Sequence, residues 1–270
     1  MERTGKSLAF GLRLRGMRNA KDLKAKDVTG YLKCSESLVY SIEGGYRTIS
    51  PASLNGLLKG PYQRPDLIPY MSKLLNQIVD GDDQPIRDAP MAHPNVMLVH
   101  ELEQESTAAF GMIIDQVPKL AQTADYMRAQ HRMAGHDAMT VEGLTQAGLE
   151  RQDRFFNLDD PPHTHILITE GAIERARKIN GQIELLADRA EHRALTIQVI
   201  PNRHGPHPVF CSFTVMDFDE FPGILWSDSV VGGTLSDKAA DIATARSLWD
   251  ALSHAAISPT ATWEMIRSSY

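Results

Sequence analysis

The stretch that most limits how this chain can fold is Val28-Thr29-Gly30-Tyr31-Leu32-Lys33-Cys34-Ser35-Glu36-Ser37-Leu38-Val39-Tyr40-Ser41-Ile42-Glu43-Gly44-Gly45. Apolar residues recur at three- and four-residue intervals on both sides of Lys33-Cys34, which predicts two short helices joined by a tight turn. Residues 24–32 form the first, with Ala25, Val28, Tyr31 and Leu32 on a buried stripe. Ser35 caps the second by accepting from backbone amides that a helix start leaves unpaired, and Leu38, Val39 and Ile42 anchor it in a core. Gly44-Gly45 terminates it. Leu8, Leu12, Leu14 and Met17 predict a preceding helix over residues 7–20. Ser50 and Pro51 open a following one through Leu54, Leu57 and Leu58, where the missing amide of proline costs nothing. Leu67, Ile68, Met71, Leu74, Leu75 and Ile78 predict another over 66–79.

Beyond that point the pattern changes. Residues 80–90 are acidic and carry two prolines, which marks a boundary. Helices are expected over 98–115, 122–132 and 141–154. The periodicity then shifts toward two at 165–169, 195–200, 211–218 and 223–227, which reads as strands, with helices at 170 onward, 181–193, 237–256 and 259–268. The expected architecture is an all-α helix-turn-helix bundle followed by an α+β domain with a small mixed or antiparallel sheet. The expected divisions are 1–80 for the bundle and its following helix, 81–95 for a linker, and 96–270 for the α+β domain.

Charge separates the two parts. Residues 1–60 hold 11 Lys/Arg against 5 Asp/Glu, while the remainder hold 17 against 29. A basic module on an acidic body fits double-stranded DNA as a partner of the first sixty residues. No apolar run is long enough to span a bilayer, so no membrane association is expected. Two distant cysteines, Cys34 and Cys211, argue for a reducing compartment and a cytoplasmic protein, without a disulfide framework or a zinc site.

A helix-turn-helix lays its second helix in the major groove while flanking groups contact the backbone. Ser35, Glu36, Ser37, Tyr40 and Ser41 are the groove-facing candidates, and Arg13, Arg15, Lys24, Lys26, Lys33 and Arg47 the phosphate contacts. The second helix holds no Arg, Lys, Asn or Gln, so it lacks the side chains that pair two-fold with guanine or adenine. Binding from one copy should be weak, and a homodimer is expected.

Ile42-Glu43-Gly44-Gly45 after a serine-led helix resembles the end of the motif in the XRE-type helix-turn-helix family. The resemblance implies that Glu43 ties the helix to the bundle and that Gly45 makes the exit turn. The sequence departs from that pattern at Tyr40, usually a small residue, and at Lys24, often Ser or Thr. Gln116 to Ala129, Arg151-Gln152-Asp153-Arg154, Ile168 to Ala172, Leu195 to Pro201 and His204-Gly205-Pro206 resemble, in order, the C-terminal domain of the actinobacterial WhiJ-like, Scr1-type antitoxin-like regulators (DUF5753-type). That resemblance implies a transcriptional regulator whose C-terminal domain binds a small protein encoded nearby or a small-molecule effector. Gln122, Tyr126, Arg128, Arg151, Arg154, Glu170, His204 and Trp226 are the candidate pocket. Arg151 and Arg154 read first as buried structural partners, with Glu150 or Glu170 in reach.

The alternatives are an antitoxin-like protein-binding module with weak autoregulatory DNA binding, and a regulator scaffold repurposed as an enzyme of secondary metabolism. The second would use His165, His204 and Cys211, in a cluster with His163, His207, Asp217 and Asp219. Loop histidines and a lone strand cysteine more often serve structure, so no catalytic residue, metal or cofactor is expected.

Overall fold

The structure is a computed structural model of the chain. It describes every residue except Met1, Asp83, residues 88–93 and 229–232, Ser269 and Tyr270, and leaves aside the side chains of residues 86, 87, 94–98 and 100. The expected linker over 81–95 includes residues 83 and 88–93, which lie outside the described residues.

The N-terminal bundle comprises α1 (Gly5–Asn19), α2 (Ala25–Leu32), α3 (Glu36–Glu43), α4 (Pro51–Lys59) and α5 (Ile68–Asp80). The starts of α1, α2 and α4 have local causes. The Ser7 amide donates to the Thr4 hydroxyl at 3.2 Å while the Thr4 amide donates back to Ser7 Oγ at 2.9 Å, a reciprocal cap. At α2, where no hydroxyl stands at the cap, the Lys24 amide donates to Asp27 Oδ2 at 2.7 Å. The helix stops at Lys33, which takes a left-handed backbone (φ 51°, ψ 46°) and so turns the chain into α3. Ser50 caps α4 from the Ser53 amide at 3.1 Å, with Pro51 at the first helical position.

Leu8, Leu12, Val28, Val39, Ile42, Leu54, Leu57, Leu58, Met71, Leu74 and Leu75 form the interior of this bundle. Two residues assigned to it from periodicity lie outside. Tyr31 is 47% exposed and Leu38 37% exposed. A helix of two turns buries only a narrow stripe. In α3 that stripe is Val39 and Ile42, and Leu38 stands about 100° around the axis from Val39. Tyr31 instead lies against Gly60, whose backbone leaves room for the ring edge.

The C-terminal part contains β1 (Ile86–Arg87), α6 (Pro94–Glu105), β2 (Ala108–Ile113), α7 (Ala124–Met133), α8 (Ala138–Phe156), β3 (His163–Thr169), α9 (Glu170–Ala176), α10 (Gln182–Ala190), β4 (Leu195–Ile200), β5 (Phe213–Phe218), β6 (Phe221–Ser227), β7 (Thr234–Ser236), α11 (Ala239–Ala255) and α12 (Pro259–Arg267). The strands form one seven-stranded mixed sheet in the order β1-β7-β6-β5-β2-β3-β4. β2 and β3 are parallel, from Ala108↔His163 to Ile113↔Ile168, and β3 and β4 are parallel from Thr164↔Leu195 to Thr169↔Ile200. β1 and β7 are antiparallel.

The expected architecture, a helical bundle followed by a mixed sheet with helices, is the one observed. The helix expected over 98–115 is a correction: α6 ends at Glu105 and residues 108–113 are a strand. No residue of the run Ala-Ala-Phe-Gly-Met-Ile is exposed, each being buried or half-buried, so neither face stands open to solvent. Burial on both faces removes the alternation that distinguishes a strand from a helix in sequence.

The chain groups into two compact units. One comprises Met1–Leu102 with Asp217–Leu225 and Val231–Ile242, the other Glu103–Met216 with Trp226–Val230 and Ala243–Tyr270.

Candidate functional site

In the first unit α3 shows solvent the side chains of Ser35, Glu36, Ser37, Leu38 and Tyr40, with Ser41 half-buried. The hydroxyls of Ser35 and Ser37 lie 3.0 Å apart, and Ser41 donates to the Ser37 carbonyl at 3.0 Å. Lys24, Lys26, Lys33 and Arg47 are exposed and Arg15 is half-buried. Arg13 differs: it is 7% exposed, with its guanidinium 4.7 Å from the Tyr70 ring centroid on α5. An arginine enclosed between α1 and α5 is closed to a phosphate, and it leaves the set of contacts expected from charge alone.

The inward side of α3 is held by an ion pair. Arg18 on α1 donates from Nε to Glu43 Oε1 at 2.6 Å and from Nη2 to Oε2 at 2.9 Å, and its Nη1 reaches the Leu23 carbonyl at 2.7 Å. The bond to Glu43 raises the Arg18 pKa, against burial, which lowers it. Nearby Tyr62 is buried, and burial pushes its hydroxyl well above the usual tyrosine value, with the Glu43 charge adding to the effect. Gly45 follows at φ 81°, and a Cβ there would meet the Leu8 backbone at 2.7 Å. Glycine is therefore required both for the turn and for the approach of α1.

Residues far along the chain complete this unit. Lys6 pairs with Asp237 at 3.3 Å, and its amide donates to Asp237 Oδ2 at 2.9 Å. Arg3 pairs with Glu220 at 2.7 Å. None of these four carries a periodicity or motif signal, so reading the sequence locally passes over them.

In the second unit the residues expected to line a pocket separate. Gln122 is buried and donates to the Val117 carbonyl at 2.8 Å, and the buried Tyr126 hydroxyl accepts from the Val117 amide at 3.2 Å. Gln152 donates to the carbonyls of Lys119 and Gln122 at 2.7 and 2.8 Å, and Gln182 bonds the Thr123 amide at 2.8 Å. Gln122, with Gln152 of α8 and Gln182 of α10, thus satisfies backbone groups of 117–123, the connection by which the chain passes from β2 to α7. Arg151 is buried in an ion pair with Glu103, not with Glu150 or Glu170, whereas Arg154 is exposed and donates to the Glu150 carbonyl. Arg128 pairs with Asp125 and Glu142 on the surface. Glu170 accepts from the Asn202 amide at 2.8 Å, His204 is exposed, and buried Trp226 donates to Asp228 at 2.9 Å. Lys119 keeps solvent contact, yet the protein packed around its amine lowers its pKa, opposed by Asp228.

Two histidines of the alternative catalytic cluster, His163 and His165, have separate partners. His165 Nε2 lies 2.6 Å from Gln198 Oε1 and its ring meets Trp249 edge-on, and His163 Nε2 is 3.1 Å from the Thr196 hydroxyl. Burial lowers the His165 pKa, opposed by the bond to Gln198. Cys211 and His204 are exposed. Among the described residues no three His, Cys, Asp or Glu side chains converge to hold a metal ion.

At the ends of the parallel strands, Asp115 accepts from the Thr169 hydroxyl at 2.7 Å and from Arg175 at 2.9 Å. The Thr169 bond, with Arg175 second, holds its pKa below the usual carboxylate range. Such a group stabilises the fold above its unfolded pKa, and the contribution is lost as pH falls through the lowered folded value. Asp115→Asn keeps a side chain tolerated at the left-handed φ of 51° found there. Urea unfolding at pH 6 should show the variant less stable by under about 1 kcal/mol, since the pair is solvent-screened. The difference should shrink as pH falls below the usual carboxylate range of about 4, and a gap of constant size from pH 6 down to about pH 2 would contradict the assignment.

These elements define a class: an all-α bundle carried with an α+β domain built on a mixed sheet. A family model described as "Domain of unknown function (DUF5753)" matches residues 96–268, more than half of the chain, and the chain belongs to that family. No curated protein and no solved structure matches it. Among the described residues no helix is long and apolar enough to cross a membrane.

Proposed function

We propose that this protein is a dimeric, sequence-specific DNA-binding transcriptional regulator with an XRE-type helix-turn-helix. In this reading its DUF5753 domain is controlled by a small protein partner or a small-molecule effector, and it acts in the cytoplasm without catalysis. The observation that carries the reading is the two-sidedness of α3. Its inner side is tied down by Arg18 and Glu43, while Ser35, Ser37 and Tyr40 stand exposed within a basic module that also exposes Lys24, Lys26, Lys33 and Arg47. Hydroxyls and a tyrosine ring discriminate bases less sharply than a two-fold arginine or asparagine contact. Affinity therefore rests on phosphate contacts and on two copies reading half-sites about 34 Å apart.

The test is a salt titration of binding to duplex DNA from upstream of the protein's own gene. Lys24→Ala, Lys33→Ala and Arg47→Ala should each weaken binding at all sequences and flatten the plot of log affinity against log salt by about 0.9. Arg13→Ala should act on stability, leaving that slope in place. Failure of the wild-type protein to bind any duplex at about 50 mM salt, or a salt-independent affinity, would overturn the reading.

A further inference from the structure

Glu220 stands in the two-residue connection between β5 and β6, yet its carboxylate is spent on the exit of α3. Oε2 accepts from Arg3 Nη1 at 2.7 Å, and Oε1 accepts from the Tyr46 hydroxyl at 3.0 Å. Arg3 is otherwise fastened by its own contacts: Nε donates to the Gly44 carbonyl at 2.8 Å, and the guanidinium lies 4.6 Å from the Tyr46 ring centroid. Gly44 caps α3, and Tyr46 is followed directly by exposed Arg47. A carboxylate has thus been brought 174 residues along the chain from Tyr46 to the edge of the basic module.

For a surface that binds phosphate, a carboxylate at this place is unfavourable twice over. It repels the approaching anion, and it occupies one edge of a guanidinium that is otherwise already positioned. The pair is also easy to exchange. Glu220 is 44% exposed while Arg3 is 14% exposed, so the acid is the partner facing water. An ion pair open to solvent on one side is weak, and leaves little for a competing phosphate to overcome. Once Glu220 departs, the Gly44 carbonyl and the Tyr46 ring still hold Arg3, and its freed Nη1 edge presents the planar donor geometry that phosphate takes.

We propose that Glu220 is an autoinhibitory plug, whose carboxylate occupies the Arg3 edge that a DNA phosphate takes when the protein binds its operator. The plug rests on the DNA-binding reading above and adds to it a negative element carried on the β5–β6 connection. Whatever shifts that connection changes DNA affinity without touching α3.

The experiment compares full-length wild-type protein with Glu220→Gln on the same duplex over about 50 to 200 mM salt, with thermal unfolding confirming that both are folded. The amide keeps the hydrogen bond to Tyr46 and removes the charge. Glu220→Gln should bind roughly three- to tenfold more tightly at low salt, with a slope steeper by about 0.9 as one further phosphate contact releases its counterion. Adding Arg3→Ala should return both affinity and slope to the wild-type values or below. A purely positioning role for Glu220 predicts the opposite sign, so equal or weaker binding by Glu220→Gln overturns the plug while leaving the DNA reading intact. If both folded proteins bind no duplex, the DNA reading fails and the plug fails with it.

Discussion

Glu43→Ala should destabilise the N-terminal unit by about 3–5 kcal/mol, the range for removing one member of a buried ion pair. The side chains of Arg18 and Glu43 are 10% and 3% exposed, so alanine leaves a guanidinium without its counter-charge and with little access to water. The Leu23 carbonyl retains one of its donors, and that single neutral acceptor does not replace two charged oxygens. Glu43→Gln should cost less because it preserves one acceptor. Arg18→Lys should also cost, since an ammonium cannot make the two-pronged bond. A double replacement, Arg18→Met with Glu43→Leu, should recover most of the loss, because both desolvated charges disappear together. Urea unfolding followed by far-UV circular dichroism measures all four. An alanine variant within about 0.5 kcal/mol of wild type would mean that the pair is not closed to solvent as described. Glu43 would then have no special hold on α3.

The second large effect is expected at Gly111 in β2. A Cβ at this position would lie 2.1 Å from the Phe213 carbonyl oxygen and 2.8 Å from Thr214 Cα. Both are backbone atoms of β5, the neighbouring strand in the sheet. A flexible side chain could swing away from such an intrusion, but a strand held by its ladder cannot without breaking hydrogen bonds. Gly111→Ala should therefore cost about 3 kcal/mol or more, at or beyond the upper end for overpacking. Gly143→Ala in α8 is the matched control, because a Cβ there meets nothing within 4 Å. It should stabilise by roughly 0.5–1 kcal/mol through helix propensity. If the two alanine variants unfold at the same urea concentration, the close approach of β2 and β5 is wrong.

Much of the helical bundle is legible in the sequence. Ser35 and Ser50 announce helix starts, Pro51 sits where a first turn tolerates it, and Gly45 stands where the backbone turns left-handed. Each of these signals acts within four residues, the distance over which a cap or a turn is decided. The inward residues of longer helices were equally plain, as Leu54, Leu57 and Leu58 show. Short helices were less so: Tyr31 and Leu38 fit the spacing of a buried stripe, yet two turns of helix bury only a narrow one and both remain exposed.

The candidate site was legible only as a list of residue types. Charge placed Arg13 among the phosphate contacts, because a sequence does not reveal that Tyr70 packs over it. Gln122 and Tyr126 suggested a polar pocket, but their polar atoms go to the backbone around Val117. Spacing offered Arg151 the neighbouring Glu150 or the later Glu170. The structure pairs it with Glu103, from the end of a helix whose extent had been misjudged because its apolar neighbours belong to β2.

By itself, then, the sequence determined the caps, the turns, the order of most elements and the contrast between a basic start and an acidic remainder. These follow from interactions between residues a few positions apart, or from composition, and need no knowledge of what lies across the molecule. The tertiary structure alone decided that 108–113 is a strand, that Arg13 is enclosed, and that Glu220 and Asp237 complete the unit containing α3. The last of these depends on pairings across 217 residues for Arg3 and Glu220 and 231 for Lys6 and Asp237. At such separations the partners share no local pattern. They meet because the sheet and the bundle bring them together, and the charge that sits beside α3 is set by that meeting.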